Sequence, residues 1–289
     1  MEEGDRVKQL AWCTDIHLDF LDGPGGSSGA RTGFIEPLSQ VECDGLLITG
    51  DISLAHMVTR HLQTLSATLK KPVYFVLGNH DFYGGSFDEV RNDVRELCNT
   101  SNNLKYLTGL DPIQLGPGVA LVGDDGWYDA AYGDPQNSPY LMTDWIRIHD
   151  YLQTGAIMAG PFGSRPNMGI VIGLSRKFAQ LAADRMRRCL SSAAQTNKVV
   201  MVATHVPPWP QVHQHNGKTG DEATHPWYTS RIMGEVIEEI AVAHPDVRFE
   251  VFCGHTHGKF DARLSSNIFC HVGGSQYGSP DIAGMIRIP

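Results

Sequence analysis

The sequence has no run of about 18 apolar residues, the length a membrane-spanning helix needs, so no such span is expected. It has no Cys-x-x-Cys pair; its six cysteines, Cys13, Cys43, Cys98, Cys189, Cys253 and Cys270, are scattered. That scatter argues against thiolate metal sites and paired redox thiols. Cys13, Cys253 and Cys270 lie in or beside apolar runs, where a thiol behaves as a small hydrophobe. A reducing, cytoplasmic compartment without disulfides is the expectation. Residues 1–9 are polar and charged and lack the apolar core of a secretion signal. Positive charge is scarce as well: Lys and Arg number 23 against 32 Asp and Glu, a net charge of −9. Such a surface repels phosphate backbones and argues against general nucleic-acid binding, but not against a phosphate substrate met by local cations. There is no internal repeat and no long low-complexity tract. The Gly/Ser-rich patch at 23–29 reads as a short flexible loop.

What is present suits one domain. A chain of 289 residues, 42% apolar, is long enough to bury a sizeable core. Short apolar runs at 7–13, 46–49, 73–77, 119–123, 199–204, 249–253, 267–272 and 283–286 read as buried strands. Helical spacing lies between them. Val58, Leu62, Leu65 and Leu69 line one helix face, and Pro72 stops that helix. Residues 88–98, 175–194 and 232–243 are further helices, and a short one falls within 141–151. Strands alternating with helices predict parallel β-α-β units, and the closely spaced strands after Phe249 suggest an antiparallel meander. Residues 123–169 and 207–230 fit neither pattern. Loops that long inside a compact domain are usually functional, so both are expected near the site.

The chemistry sits directly after the strands. Thr14-Asp15-Ile16-His17 follows the first, Gly50-Asp51 the second, and Gly78-Asn79-His80-Asp81 the third. His205 follows the run at 199–204, and Gly254-His255-Thr256-His257 the run at 249–253. Five strands thus deliver two aspartates, one asparagine and five histidines at their carboxyl ends, the edge where open α/β sheets place ligand sites. Imidazole with carboxylate suits Mn, Fe, Zn, Co or Ni rather than Ca or Mg alone. Seven ligands exceed the needs of one tetrahedral ion and match two ions sharing a carboxylate.

Asp-x-His, Gly-Asp, Gly-Asn-His-Asp, a lone His and Gly-His-x-His, in that order over residues 15–257, resemble the calcineurin-like metallophosphoesterase superfamily. The resemblance implies a mixed two-sheet β-sandwich flanked by helices in four layers, in a single domain covering 1–289. It implies two divalent or trivalent transition-metal ions, Mn or Fe before the others. Asp15, His17, Asp51 and His257 would hold one ion. Asp51, Asn79, His205 and His255 would hold the other, with Asp51 bridging. His80 would face the substrate as a cationic clamp or general acid, with Asn79 beside it. The activity implied is phosphoester hydrolysis by in-line attack of a metal-bridging hydroxide.

Other residues carry weaker signals. Trp127, Tyr128 and Trp209 are candidates for the substrate wall, with a buried structural role the simpler reading for the first two. Asp81 braces either the loop or the His80 imidazole. Asp19 and Asp22 read as solvated loop residues, and Arg185, Arg187 and Arg188 as a solvated helix face. His213 and His215 suggest a loop that touches the leaving group. Phosphoprotein phosphatases of the superfamily carry a second Asp and an Arg where this chain has Leu54 and Ala55. That disfavours a phosphoprotein substrate. The remaining resemblance is to the class III phosphodiesterase and small-molecule phosphohydrolase branch. A small-molecule or nucleotide phosphodiester is therefore the expected substrate, with no nucleic-acid or membrane partner. A phosphomonoesterase, or a metal-bearing scaffold with vestigial activity, is the alternative.

Overall fold

The structure is a computed structural model that describes residues 7–22, 28–159, 165–215 and 217–289. Most of the Gly/Ser patch, residues 23–27, and residues 1–6 lie outside the described residues. Strands β1 (Gln9–Cys13), β2 (Gly45–Thr49), β3 (Val73–Val76) and β4 (Leu104–Tyr106) begin the chain, followed by β5 (Ile113–Gly116) and β6 (Val119–Gly123). Then come β7 (Val199–Ala203), β8 (Arg248–Cys253), β9 (Phe260–Arg263), β10 (Ile268–Val272) and β11 (Gly284–Arg287). Four longer helices are α1 (Ala55–Leu69), α2 (Phe87–Thr100), α3 (Met168–Thr196) and α4 (Arg231–Ala243). One sheet has the order β11-β1-β2-β3-β4, the other β9-β10-β8-β7-β6-β5. Strands β1 to β4 run parallel, as do β6, β7, β8 and β10; β11, β9 and β5 pair antiparallel at the edges.

The period of two along each strand sorts its side chains between two cores. Leu10, Trp12, Leu47, Tyr74 and Val76 meet Leu121, Met201, Ala203 and Phe252 between the sheets. Their neighbours Ala11, Cys13, Leu46, Ile48 and Phe75 face outward, under Val58, Leu62 and Leu65 of α1 and Val90 and Val94 of α2. On the other side Val200, Val202, Phe249 and Val251 lie under Ala182, Met186 and Leu190 of α3 and Val236 and Ile237 of α4. The result is helix, sheet, sheet, helix: the expected four-layer mixed sandwich. Both sheet faces are covered, which is why these strands read as nearly continuous apolar runs.

Three expectations need correction. The strands after Phe249 are no antiparallel meander: β8 and β10 are parallel neighbours, β9 is a hairpin partner on the outer edge, and β11 crosses to the other sheet. Apolar periodicity identifies a strand but not its partner. Helix α3 begins at Met168, seven residues before the expected start, because the Asn167 side chain caps it by accepting from Ile170 N. The helix expected within 141–151 is two short ones, Thr143–Arg147 and His149–Leu152, separated at Ile148, whose backbone is extended.

Asp125, at the end of β6, joins the sheets behind the site. Its Oδ1 accepts from Leu77 N and Thr108 Oγ1, both at 2.8 Å; its Oδ2 accepts from Arg91 Nε at 2.9 Å and Tyr106 OH at 2.6 Å. Replacing it with Ala leaves a buried guanidinium, two hydroxyls and a backbone N–H unpaired. Asp125→Ala should therefore lower the unfolding free energy by about 3–5 kcal/mol, read by urea denaturation. A loss below about 1 kcal/mol, that of an average substitution, would contradict this.

Candidate metal centre

The strand-end loops converge where the carboxyl edges of both sheets meet. Most of the backbone there is strained. Among the described residues seven non-glycine residues have positive φ, and five of them are Asp15 (49°), His17 (38°), Asp51 (52°), His255 (68°) and His257 (58°). Each such residue costs about 1–3 kcal/mol, and the strain persists only where the surroundings impose it. Here they do. Asp15 N donates to Gly50 O and His17 N to Asp51 O, each at 3.0 Å, so the first loop is tied to the second. His255 N donates to both Asp15 carboxylate oxygens, at 3.0 and 3.1 Å, which ties the second sheet to the first. Asp81 turns away from the His80 imidazole. Its carboxylate accepts from Ile52 N, Ser53 N and Gly78 N at 2.7–3.0 Å and fixes the loop that carries Asp51. Glycine is required where these loops touch. A Cβ on Gly78 would strike Asp51 Oδ1, and one on Gly254 would strike Asp15 Oδ2 and Thr14 Oγ1.

The donors form two groups around Asp51. One ligand atom from each of Asp15, His17, Asp51 and His257 lies within 4.8 Å of the others. Within this group His17 Nε2 is 3.7 Å from Asp51 Oδ2 and 3.3 Å from His257 Nε2, which is 3.4 Å from Asp15 Oδ1. The second group uses the other Asp51 oxygen: His205 Nε2 is 3.4 Å from Asp51 Oδ1. Asn79 Oδ1 is 3.0 Å from both His205 Nε2 and His255 Nδ1. All seven candidate ligands are thus brought together, with one carboxylate between the groups.

Hydrogen bonding at the far side of two rings tests whether these residues fit an ion. His205 Nδ1 is 2.8 Å from Thr49 O and His255 Nε2 is 3.1 Å from Trp227 O, so both nitrogens carry protons. In the neutral rings the remaining nitrogens point lone pairs at the Asn79 oxygen. Acceptors facing acceptors at 3.0 Å repel unless a cation lies among them. A proton serves part of that need in the ion-free chain. Burial opposes charge on His205, but the Asp51 carboxylate outweighs it and raises its pKa to about 10. Burial, with the charge on His205, then pushes His255 down to about 3; burial also takes His17 to about 4. In the other group burial likewise opposes charge on His257, but its bond to the Asp15 carboxylate outweighs it and raises its pKa, so each group favours a positive charge. The donor set fits two ions. His17 departs from the usual pattern, since its buried Nδ1 has no partner among the described residues. Packing orients that ring, with His80 and Tyr277 each at 4.5 Å between centroids.

A cavity of about 210 Å³ opens over Asp51, Asn79, His80, His255 and His257. Its outer wall is Tyr83, Tyr277, Tyr228, His215 and the segment 140–143, with no Arg or Lys among the described lining residues. A larger cavity of about 550 Å³ opens elsewhere, beside β11, and holds none of the donors.

Other candidates fall away from the cavity. Trp127 is buried, its Nε1 donating to Tyr151 OH, and packs on Phe87 at 4.8 Å. Trp209 is buried against α4, with Nε1 donating to Glu238. His213 lies against His225 and Tyr228, whereas His215 lines the cavity and bonds to Thr256 O. Asp22 is not a free loop carboxylate: the residue is half-buried, its side chain 5% exposed, and it takes Arg60, His61 and the amide of Ala30. Asp19 is half-buried. Arg185 grips Asp124 at 2.6 and 3.0 Å rather than facing solvent. Residues missed in the sequence are Asp144, which holds Asn79, and Tyr83, Tyr228 and Tyr277 of the wall.

A four-layer sandwich with paired Asp/His ligand groups at its strand ends defines a metal-dependent phosphoester hydrolase. The chain belongs to the calcineurin-like phosphoesterase family, whose model it matches over residues 9–259. Solved structures share the fold at low identity. The phosphopantetheinyl hydrolase of Mycobacterium tuberculosis is 12% identical with a TM-score of 0.61, over 98% of this chain and 96% of that one. A dimetal phosphatase from Danio rerio is 16% identical with a TM-score of 0.51, over 93% and 88%. The protein TT1561 of Thermus thermophilus is 14% identical with a TM-score of 0.50, over 93% and 89%. No curated protein matches the sequence. Among the described residues no helix is long and apolar enough to cross a membrane.

Proposed function

We propose that the protein hydrolyses a phosphodiester of a small molecule or nucleotide. The observation that carries this is the cavity wall: four tyrosines, Tyr83, Tyr140, Tyr228 and Tyr277, and no Arg or Lys among the described lining residues, with Arg147 set over the Tyr83 ring at 5.0 Å rather than lining the cavity. A monoester dianion calls for added positive charge, whereas a diester carries one negative charge and two substituents. Tyr277 is 46% exposed, lies 4.7 Å from His257, and stacks on Phe20, 54% exposed, at 4.8 Å. Together they make an aromatic surface at the mouth, suited to a planar substituent.

Asp15, His17, Asp51 and His257 hold one ion and Asp51, Asn79, His205 and His255 the other, with Mn or Fe as the metals the donors suit. When bound, the two ions supply an activated water and clamp the ends of an in-line displacement. Asp51 keeps them together. His80 protonates the leaving oxygen. The chain works as one domain, with residues 123–169 and 207–230 supplying the outer wall. Cys13, Cys253 and Cys270, buried as free thiols, support a reducing, cytoplasmic setting.

With added Mn²⁺, bis-p-nitrophenyl phosphate should turn over at least about 10-fold better in kcat/KM than p-nitrophenyl phosphate, a difference of about 1.4 kcal/mol. The reverse ratio would make the protein a monoesterase. Two bound ions with no turnover of either would leave the scaffold reading. Tyr277→Ala should raise KM for the aryl diester about 3- to 10-fold, the value of one aromatic contact, without changing metal content.

A further inference from the structure

We propose that Asp144 is a positioning residue for one of the two ions, the one held by Asn79, His205 and His255. The inference rests on the two-ion reading above. Asn79 has one amide oxygen and two N–H bonds to place. Its Nδ2 donates to Tyr83 OH at 2.9 Å and to Asp144 Oδ1 at 2.8 Å, and Tyr83 OH donates to the same Asp144 oxygen at 2.6 Å. Asp144 Oδ1 accepts both bonds, so it settles which way the amide faces. The oxygen is then directed at His205 and His255. Both N–H bonds are spent, so Asn79 has none for a substrate.

Asp144 lies in the short helix Thr143–Arg147 of the first insertion, directly after the segment 140–143 that walls the cavity. The second insertion does the matching work for His255, whose Nε2 donates to Trp227 O at 3.1 Å. The insertions also hold each other: the Trp145 and Trp227 rings, both fully buried, meet edge to face at 4.9 Å. Among the described residues the side chains of Asp15 and His257 take no hydrogen bond from either insertion, and the second insertion reaches that loop only at the backbone, through His215 Nδ1 and Thr256 O at 3.0 Å. Thr14 Oγ1 donates to Asp15 Oδ2 at 2.6 Å, and Ser275 Oγ to Asp15 O at 2.5 Å, within the strand-end loops. The substrate wall and the orientation of Asn79 therefore share one scaffold.

Chelator-treated protein titrated with Mn²⁺ by calorimetry, with metal analysis after gel filtration, tests this. The unsubstituted chain should bind two ions. Asp144→Ala should keep one at unchanged affinity and weaken the other about 10- to 100-fold, as loss of an outer partner does. Asp144→Asn, whose carboxamide oxygen still accepts from Asn79 and Tyr83, should stay within a few-fold of the parent. Tyr83→Phe removes one of the two acceptors and should weaken the same single ion; it serves also if Asp144→Ala does not fold. A structural role alone would lower the melting temperature without separating the ions. Equal weakening of both ions, or unchanged binding in both Asp144→Ala and Tyr83→Phe, overturns the inference while leaving the two-ion reading standing. A parent chain that binds no ion overturns both.

Discussion

Asp51→Asn should abolish turnover, at least about 10³-fold, and reduce bound metal from two ions to less than one. The carboxylate reaches the imidazoles of both halves of the centre: Oδ2 lies 3.7 Å from His17 Nε2 and Oδ1 3.4 Å from His205 Nε2. An amide of the same shape keeps one acceptor oxygen but loses the negative charge, and its NH₂ would point into one of the groups. Two cations held close together repel, and the shared anion is what offsets that repulsion. A 10³-fold loss corresponds to about 4 kcal/mol, well within what the electrostatic share of such a centre supplies. The backbone cost is small, because Asn tolerates the left-handed φ of 52° at this position. Melting temperature in chelator should therefore change little, and stripping metal from the parent should reproduce the loss. Metal analysis with turnover of bis-p-nitrophenyl phosphate checks the prediction. A variant retaining two ions and more than a tenth of the activity would show that Asp51 does not bridge.

How the site was visible in the sequence has a physical basis. Its ligands come from loops of two to four residues that begin as a strand ends, so a buried apolar run followed by a polar donor marks each one. The direction of β1, β2, β3, β7 and β8 then follows from their parallel pairing. The same reasoning failed at β10. Read as part of an antiparallel meander, its carboxyl end points away from the site. Because β10 is parallel to β8, that end instead delivers Ser275, which braces Asp15, and Tyr277, which stacks over His17 and His257. Strand partnership depends on the whole sheet and leaves no local trace.

Asp144 was hidden for a different reason. It is 65 residues from Asn79, in a segment whose short helices lack a sustained apolar stripe, and nothing about Thr-Asp-Trp marks the carboxylate as buried. Trp127 and Trp209 drew attention as aromatics near strand ends but are packed inward, with their indole N–H groups already bonded. The aromatic wall is built instead from tyrosines contributed by four separate segments. Convergence of that kind is a property of the fold, not of spacing.

His80→Ala should lower kcat about 10²- to 10⁴-fold, the usual contribution of a proton-transfer group, with both ions still bound. Metal retention follows from the geometry. The contact between His80 and Asp51 is made by its backbone, N to Oδ1 at 2.8 Å, and survives loss of the imidazole. The ring itself lines the cavity, between His17 at 4.5 Å and Tyr83 at 4.4 Å. Asp81 does not orient it, being occupied by three backbone amides. Its orientation rests on ring packing, so Tyr83→Phe should leave its placement unchanged. A general acid matters most where the leaving group is poor. The loss should thus be several-fold larger for a diester with an alkyl leaving group than for one releasing p-nitrophenolate, which departs without a proton. A residue that merely steadied the phosphoryl oxygens would produce equal losses with both. Comparing kcat for methyl and p-nitrophenyl leaving groups in the parent and in His80→Ala separates the two roles, and equal losses would remove His80 from the proton path.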